Sequence, residues 1–211
     1  MRIVCFGDTH GYHKKMQIPH GDLLIFAGDY TKDHTKDEIR QLIQFNEWLE
    51  KFHHRHKLFI SGNHDFFLER EHYAAVSHIT NATYLNDSET TVDGLKIWGS
   101  PISPYFNGWA FNRHPGPEIQ RHWDMIPDDI DILITHGPPA GILDKTKDGD
   151  RAGSVDLKNT INDRLKNLKL HVFGHIHEAW GKEEHNGVIY VNCSKGYHWL
   201  GQHKPAITVE I

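Results

Sequence analysis

Five short apolar segments of this 211-residue chain each stop at an aspartate, asparagine or histidine, usually beside a glycine. Short apolar runs bounded by turn residues are typical of buried β-strands. Because ligands of open α/β sheets sit beyond the carboxyl ends of the strands, we expect the polar residues at these ends to converge on one patch. The runs cover residues 3–6, 23–27, 58–60, 130–134 and 170–173, and the polar residues that follow are Asp8, His10, Asp29, Asn63, His64, His136, His175 and His177.

The segments between these runs carry helix and turn signals. Thr35 and Glu38 match a capping box that opens a helix, and Ser154 is placed to cap another helix that reaches about residue 167. Strands that alternate with helices predict one α/β domain over residues 1–211, with a mixed sheet. The apolar face of the first helix is predicted to consist of Ile39, Leu42, Ile43, Leu49 and Phe52. Residues 66–79 are predicted to be helical, and residues 89–99 to form a hairpin with a type I′ turn at Asp93-Gly94. Residues 101–117 are predicted to be a loop, and residues 188–191 and 206–211 to be closing strands.

The composition argues against several classes of protein. The net charge is −5 and there is no basic stripe, so binding to long nucleic acid is not favoured. No apolar run approaches the roughly 20 residues of a membrane span, and the N-terminus has no signal-peptide pattern, so we expect a cytoplasmic protein with no membrane contact. Cys5 and Cys193 lie in apolar runs and are expected to be reduced core thiols. The sequence makes no prediction of oligomeric state.

The side chains at the strand ends predict a metal centre. Imidazole, carboxylate and carboxamide ligands suit divalent Mn, Fe, Zn or Ni. No cysteine joins them, which argues against a closed structural zinc site. The candidates are too many for one ion and suit two ions that share a bridging carboxylate. Each residue taken singly is more typical of a turn or a surface histidine, but five such endings together favour the metal site.

The pair His175 and His177 is expected to point in one direction. Side chains two residues apart on extended backbone lie on the same face. We therefore expect both imidazoles to face the site while Ile176 faces the core. This interpretation requires the chain to stay extended from the end of the fifth apolar run to residue 177.

The order of these motifs resembles that of the calcineurin-like metallophosphoesterase superfamily. The stretches FNEWLE, GNHD, NGWAFN, DILITHGPP and KLHVFGHIHE are similar to small metallophosphodiesterases related to class III cyclic-nucleotide phosphodiesterases and the animal MPPED proteins. The resemblance implies a four-layer α/β/β/α sandwich of two mixed sheets, with a dinuclear metal site at one sheet edge. The motifs that carry it are Asp8-x-His10, Gly28-Asp29, Gly62-Asn63-His64-Asp65, His136 and Gly174-His175-x-His177, which span nearly the whole chain.

The resemblance also implies a role for each site residue. A hydroxide that bridges two divalent ions, expected to be Mn with Fe, Zn or Ni as alternatives, would attack phosphorus in line. His64 would contact the scissile phosphate and donate a proton to the leaving oxygen, with its pKa raised by Asp65 or Asp33. The alternative is that His64 only orients a loop. The implied ligands are Asp8, His10 and His177 for the first ion, Asn63, His136 and His175 for the second, and Asp29 as the bridge.

Two further features bear on the substrate. Protein phosphatases of the superfamily carry an Asp-Arg pair after the bridging carboxylate, whereas Asp29 is followed here by Tyr30-Thr31-Lys32-Asp33, which favours phosphodiesters. Phe106, Asn107 and Trp109 lie in an aromatic loop that would stack on a nucleobase. The alternative is that these aromatic residues pack in the core. Trp180 and Tyr197 raise the same question.

These observations predict a metal-dependent phosphodiesterase that acts on a small, nucleotide-like phosphodiester. The second hypothesis is a phosphomonoesterase. The third is a non-catalytic interaction scaffold with the same fold, and the complete set of candidate ligands argues against it.

Overall fold

The computed structural model describes residues 1–32, 37–195 and 204–211, so that Asp33, Thr35 and Tyr197 lie outside the described residues. In these ranges the chain forms two large sheets. The first sheet has the spatial order β13-β1-β2-β3-β4, with β13 antiparallel and the other strands parallel. Its strands are β1 (Arg2–Phe6), β2 (Leu23–Ala27), β3 (His56–Ile60), β4 (Thr83–Tyr84) and β13 (Ile207–Glu210).

The second sheet has β5 (Ser88–Val92), β6 (Leu95–Ser100), β9 (Ile132–Thr135), β10 (Leu170–Phe173), β11 (Gly181–His185) and β12 (Val188–Asn192). Its order is β11-β12-β10-β9-β6-β5, with antiparallel pairs only at the two edges. Both sheets are therefore mixed, as predicted. A separate pair of short strands, β7 (Ser103–Pro104) and β8 (Asn112–Arg113), lies within the stretch predicted to be a loop.

The helices lie outside the two sheets. They are α1 (Glu38–Glu50), α2 (Phe66–Arg70), α3 (His72–Val76), α4 (Pro117–Trp123) and α5 (Val155–Asp163). Alternation along the strands sends Cys5 and Ile134 into the apolar layer between the sheets, while Phe6 and Leu133 belong to the outer apolar cluster that also holds the buried faces of the helices. The result is the four-layer α/β/β/α sandwich that the motifs implied.

Several local predictions are confirmed. Asp93 and Gly94 have φ of 48° and 85°, so both central residues of the β5–β6 hairpin are left-handed as a type I′ turn requires. The Ser154 hydroxyl accepts a hydrogen bond from the N–H of Leu157 and caps α5. Cys5 and Cys193 are buried free thiols. None of the helices in the described ranges has the length and apolar character needed to cross a bilayer.

Other local predictions need correction. The face of α1 does bury Leu42 and Leu49, but Ile39 is 47% exposed and Phe45 and Trp48 fill the core instead. The helix predicted over residues 66–79 is divided into α2 and α3, because Glu71 has φ −122° and ψ 46°. The helix α5 ends at Asp163 and does not reach residue 167. The helix α4 and the polar edge strand β11 were not predicted.

Candidate metal centre

The carboxyl ends of the parallel strands in both sheets meet at one edge of the sandwich. A β-bridge between Gly7 and Ser194 joins the end of β1 to the end of β12, across the two sheets. The polar residues predicted to converge do lie together there. We call Asp8, His10, Asp29 and Asn63, which follow β1, β2 and β3, the first-sheet half of the site, and we call His136, His175 and His177, which follow β9 and β10, the second-sheet half.

Asp29 lies between two groups of potential ligand atoms. Its Oδ2 is 3.8 Å from Nε2 of His10 and 3.5 Å from Nε2 of His136. In the first group, Nε2 of His177 lies 3.2 Å from Oδ1 of Asp8 and 3.3 Å from Nε2 of His10. Ligand atoms of Asp8, His10 and His177 all lie within 4.8 Å of one another. This spacing suits one cation, with Asp29 directed toward it.

The second group lies on the other side of Asp29. Nε2 of His136 is 2.7 Å from Oδ1 of Asn63, and the ring centroids of His136 and His175 are 4.9 Å apart. Ligand atoms of Asp8, Asp29 and His136 also lie within 4.8 Å of one another. Both groups draw residues from both sheets, so any cation held in either group would connect the sheets.

His175 and His177 reach the site by a different route from the one predicted. His175 has φ 68°, and His177 begins a single 3₁₀ turn, His177–Ala179. The prediction that the segment stays extended to residue 177 is therefore wrong. Ile176 is 6% exposed and packs inward, as expected. The left-handed turn lets the N–H of His175 donate to both oxygens of Asp8, at 3.0 and 3.1 Å.

Left-handed backbone is concentrated in the site. Asp8, His10 and Asp29 have φ of 51°, 43° and 61°, in the same region as His175. Such conformations cost about 1 to 3 kcal/mol each in residues with a side chain, and the surrounding structure must hold them in place. Neighbouring backbone provides that support, because the N–H of Asp8 donates to Gly28 O at 2.8 Å and the N–H of His10 donates to Asp29 O at 3.0 Å.

The glycines beside the ligands are required for close approach. A Cβ on Gly28 would lie 2.7 Å from Nδ1 of His136, and a Cβ on Gly62 would overlap a carboxylate oxygen of Asp29. A Cβ on Gly174 would overlap Oδ2 of Asp8. Each of these motifs therefore requires a glycine before its ligand, because the side chain of another site residue occupies the space that a Cβ would need.

Asp65 is fully buried and binds the loops of the first-sheet half to each other. Its Oδ2 accepts hydrogen bonds from the N–H of Asp29 at 2.9 Å and the N–H of Gly62 at 2.8 Å. Its Oδ1 accepts from the N–H and the hydroxyl of Thr31, at 3.1 and 2.9 Å. The Asp65 carboxylate, which was predicted to act in catalysis, thus accepts from three backbone N–H groups and one hydroxyl, and its described contacts are those of a positioning residue.

The charges and lone pairs of the site fit divalent cations. Nδ1 of His136 lies 2.9 Å from Ala27 O, which can only accept, so Nδ1 carries a hydrogen. Nε2 of the neutral ring is then a lone pair that faces the amide oxygen of Asn63. Burial lowers the pKa of His136, but the charge and hydrogen bond of Asp29 outweigh burial and raise that pKa to about 9. Nε2 of His136, the amide oxygen of Asn63 and the carboxylate of Asp29 are all acceptors that face one another. A positive charge between them is therefore favourable, and either a proton on His136 or a divalent cation can supply it.

A similar orientation is found at His10. Its Nδ1 lies 3.3 Å from Thr31 O, which directs Nε2 toward Asp29 and His177. A histidine that donates its second ring N–H to a backbone carbonyl is the usual arrangement at metal sites. Burial opposes ionisation of Asp29, yet the charges of His136 and His64 hold the pKa of Asp29 well below its usual value. The site therefore places an anionic carboxylate beside imidazole lone pairs, and the residues fit divalent metal ions.

His64 lies beside the ligands and is oriented by Asp29. Its backbone N–H donates to Oδ1 of Asp29 at 2.8 Å, and its Nε2 is 3.9 Å from Oδ2 of Asp29. Burial lowers the pKa of His64 to about 4, although Asp29 opposes the shift. The prediction that Asp65 raises this pKa is therefore wrong, since the Asp65 carboxylate is directed at backbone N–H groups. The other carboxylate named for this purpose, Asp33, lies outside the described residues.

The aromatic loop reaches the site through Trp109. The Trp109 ring meets the His64 ring edge to face, with centroids 4.0 Å apart, and the N–H of Ala110 donates to Asn63 O. Phe106 is 62% exposed, so the core-packing alternative does not apply to it. Asn112, which the sequence analysis missed, holds the loop by accepting from the N–H groups of Phe106 and Trp109. Asn107 lies exposed at the loop tip with φ 55°. Outside this loop, the indole N–H of Trp180 donates a hydrogen bond to Pro205 O.

Comparisons with known proteins identify the family of this chain. A model of the calcineurin-like phosphoesterase family matches residues 1–179. The human metallophosphoesterase domain-containing protein 1 is 42% identical over 217 residues, and the alignment covers 92% of this chain and 65% of that protein. The chain thus spans a little under two thirds of the length of that relative.

More distant proteins are also similar to this chain. A 3′,5′-cyclic-nucleotide phosphodiesterase of Nostoc is 23% identical over 206 residues, covering 87% of this chain and 66% of that protein. The structure of the NAD nucleotidase of Haemophilus influenzae superimposes with a TM-score of 0.50 at 16% identity, over 91% of this chain and 44% of that chain. The family match over residues 1–179 includes every candidate ligand, and the chain belongs to the calcineurin-like phosphoesterase family.

Proposed function

We propose that the protein is a metal-dependent phosphodiesterase that hydrolyses a small, nucleotide-like phosphodiester. The observation that carries this proposal is the position of Asp29, whose Oδ2 lies 3.8 Å from His10 and 3.5 Å from His136, between two groups of ligand atoms. A carboxylate in that position suits a bridge between two divalent ions. Two such ions would supply Lewis-acid activation of the phosphoryl oxygens and of a water molecule.

The protein's own residues would orient the substrate and move the proton. The His64 ring borders the ligand groups, so it is within reach of a phosphate held there. We assign to it a hydrogen bond to the scissile phosphate and proton donation to the leaving oxygen. The negative charge of a bound phosphodiester favours the protonated ring and counteracts the effect of burial.

The exposed aromatic loop supports a substrate with a planar base. Trp109 contacts His64, and Phe106 is 62% exposed and held on an ordered turn. A base stacked on such a ring gains roughly 1 to 3 kcal/mol. The Nostoc relative is named as a 3′,5′-cyclic-nucleotide phosphodiesterase, which also favours a nucleotide-like substrate.

The test uses protein stripped of metal and reloaded with Mn, Fe, Zn, Ni or Mg. We expect hydrolysis of bis-p-nitrophenyl phosphate and of 3′,5′- or 2′,3′-cyclic nucleotides, with the highest activity in Mn, and little hydrolysis of p-nitrophenyl phosphate. Preference for the monoester would replace this proposal with a phosphomonoesterase. Binding of two metal ions without hydrolysis of any of these substrates would favour a scaffold.

A second comparison tests the role of His64. His64→Ala should slow a diester with a poor leaving group more than one with a good leaving group, because only the former needs a proton. His64→Gln keeps a neutral hydrogen-bond donor and serves as the control. Equal loss with both leaving groups, or full rescue by Gln, would show that His64 is not the proton donor.

A further inference from the structure

His171 is a fully buried histidine that lies outside the candidate metal centre. It is on β10, four residues before His175, and its ring lies 4.8 Å from the ring of Phe173 and 5.8 Å from the ring of Tyr190. Polar side chains in such an apolar layer are costly unless they are hydrogen-bonded. The described contacts give His171 one such partner, the hydroxyl of Thr135, at 2.8 Å from Nε2.

The direction of this hydrogen bond follows from the second contact of Thr135. The same hydroxyl lies 2.7 Å from Gly137 O, which can only accept. The single hydroxyl hydrogen therefore goes to Gly137, and Nε2 of His171 must donate to the Thr135 oxygen. The opposite order would place two acceptors 2.7 Å apart and would leave a buried Nδ1–H with no acceptor. His171 is thus the neutral tautomer with hydrogen on Nε2.

This chain of hydrogen bonds encloses a candidate ligand. His136 lies between Thr135 and Gly137, so the His171–Thr135–Gly137 chain fixes the backbone on both sides of it. His136 O in turn accepts a hydrogen bond from the N–H of Gly174 at 2.9 Å, and His175 follows Gly174. The two strand ends that carry the second-sheet half are therefore connected by two sets of hydrogen bonds, one of which begins at His171.

We propose that His171 is a positioning residue for the metal centre, which holds His136 in the orientation that faces Asn63 and Asp29. The inference rests on the proposed metal centre, but it concerns a residue that does not itself touch a metal ion. Outer hydrogen-bond partners of metal-ligating histidines affect metal affinity by about 10- to 100-fold. His171 acts on the backbone beside His136 through Thr135 and does not touch the His136 ring, so we expect an effect at the lower end of this range, about 10-fold. The effect should fall on one of the two metal sites, because His171 is connected to the group around His136 and has no described contact with the group around His10.

The test is calorimetric titration of metal-stripped protein with Mn²⁺. His171→Phe fills the same space in the aromatic layer without a donor and should weaken one of two binding events about 10-fold. His171→Gln keeps an N–H donor and should restore most of the affinity. Thr135→Val removes both the hydrogen bond from His171 and the hydrogen bond to Gly137 O, so it should lose at least as much affinity as His171→Phe. The double variant should lose no more than Thr135→Val alone, because that variant already breaks the connection from His171.

Leu157→Ala provides the matched structural control. Leu157 is 1% exposed in the outer apolar layer of α5, so this variant should lower the melting temperature of the metal-stripped protein without changing Mn²⁺ affinity. If His171→Phe lowers only the melting temperature and binds both ions as the wild type does, the inference is wrong. If the wild type itself binds no Mn²⁺, the proposed metal centre is wrong, and the inference about His171 is wrong with it. A ¹⁵N spectrum in which His171 is not the Nε2–H tautomer would also overturn the inference.

Discussion

The two halves of the site come from different sheets and are held in different ways. In the first-sheet half, one buried carboxylate, Asp65, accepts four hydrogen bonds from loop residues that surround Asp29 and Asn63. In the second-sheet half, a neutral histidine and a threonine hydroxyl fix the turn around His136. The two halves therefore use similar ligands, but the residues that hold those ligands in place differ in chemistry. We expect the two halves to respond differently to mutation and to pH.

The largest effect is expected at Asp65. Asp65→Ala leaves the buried N–H groups of Asp29, Thr31 and Gly62 without this acceptor, and each unsatisfied group costs about 1 to 3 kcal/mol before relaxation. The Thr31 hydroxyl keeps His64 O as an acceptor. We expect a loss of about 3 to 5 kcal/mol in the free energy of unfolding, measured by urea denaturation of the metal-stripped protein. Asp65→Asn keeps one acceptor oxygen and should lose less.

Asp144 is the matched control for Asp65. It is equally buried and accepts hydrogen bonds from the N–H groups of Gly141 and Gly153 and from Arg151, in the loop between β9 and α5. Asp144→Ala should destabilise the protein to a similar degree but leave Mn²⁺ affinity near that of the wild type. Equal loss of metal affinity in both variants would show that the role of Asp65 is general stability and not support of the site.

A smaller effect is expected where the two halves touch. Gly174→Ala places a methyl group against the carboxylate of Asp8, and overpacking of this kind costs about 1 to 3 kcal/mol. The methyl group should also displace the Asp8 carboxylate and so weaken Mn²⁺ binding. Gly137→Ala is the control, because the nearest atom to its added Cβ is Ser103 Cβ at 3.6 Å, an ordinary contact. Normal metal binding by Gly174→Ala would mean that Asp8 can move without loss.

The smallest effect is the pH dependence that His171 contributes through the support of the second-sheet half. Burial lowers the pKa of His171 from 6.5 to about 3. Between these values the unfolded chain binds a proton that the folded protein does not, so the contribution to stability is present above pH 6.5 and is lost as the pH falls toward 3. At pH 5.5 this loss is about 1.4 kcal/mol.

The variant His171→Phe isolates that contribution from the other histidines. The free energy of unfolding of the wild type should fall relative to that of His171→Phe by about 1.4 kcal/mol between pH 7.5 and 5.5. Urea denaturation of both metal-stripped proteins across this range measures it. A constant difference between the two proteins would contradict a neutral, buried His171.

The sequence was sufficient to predict which residues meet, because strand-end position and side-chain chemistry are both local properties. The five apolar runs became β1, β2, β3, β9 and β10, and the residues that follow them lie within one site. The type I′ turn was equally readable, since Asp-Gly between β-forming residues specifies it.

Properties that depend on distant backbone were not predictable. The four donors around Asp65 come from loops 34 to 36 residues away in the chain as well as from Gly62, so nothing near Asp65 distinguishes a positioning carboxylate from a catalytic one. No pattern marks His175 as left-handed, and the strand β11 has the polar sequence GKEEH with no apolar alternation. Pro117, which begins α4, was assigned to the loop before it.

The contact between Asp8 and His177 joins residues that are 169 positions apart. During translation the chain must therefore emerge beyond residue 177 before the site is complete, and an intermediate that contains only the first sheet lacks part of both ligand groups. Loading of metal ions is thus expected to be a late event in biogenesis that follows docking of the two sheets, so that metal content reports whether a molecule has finished folding.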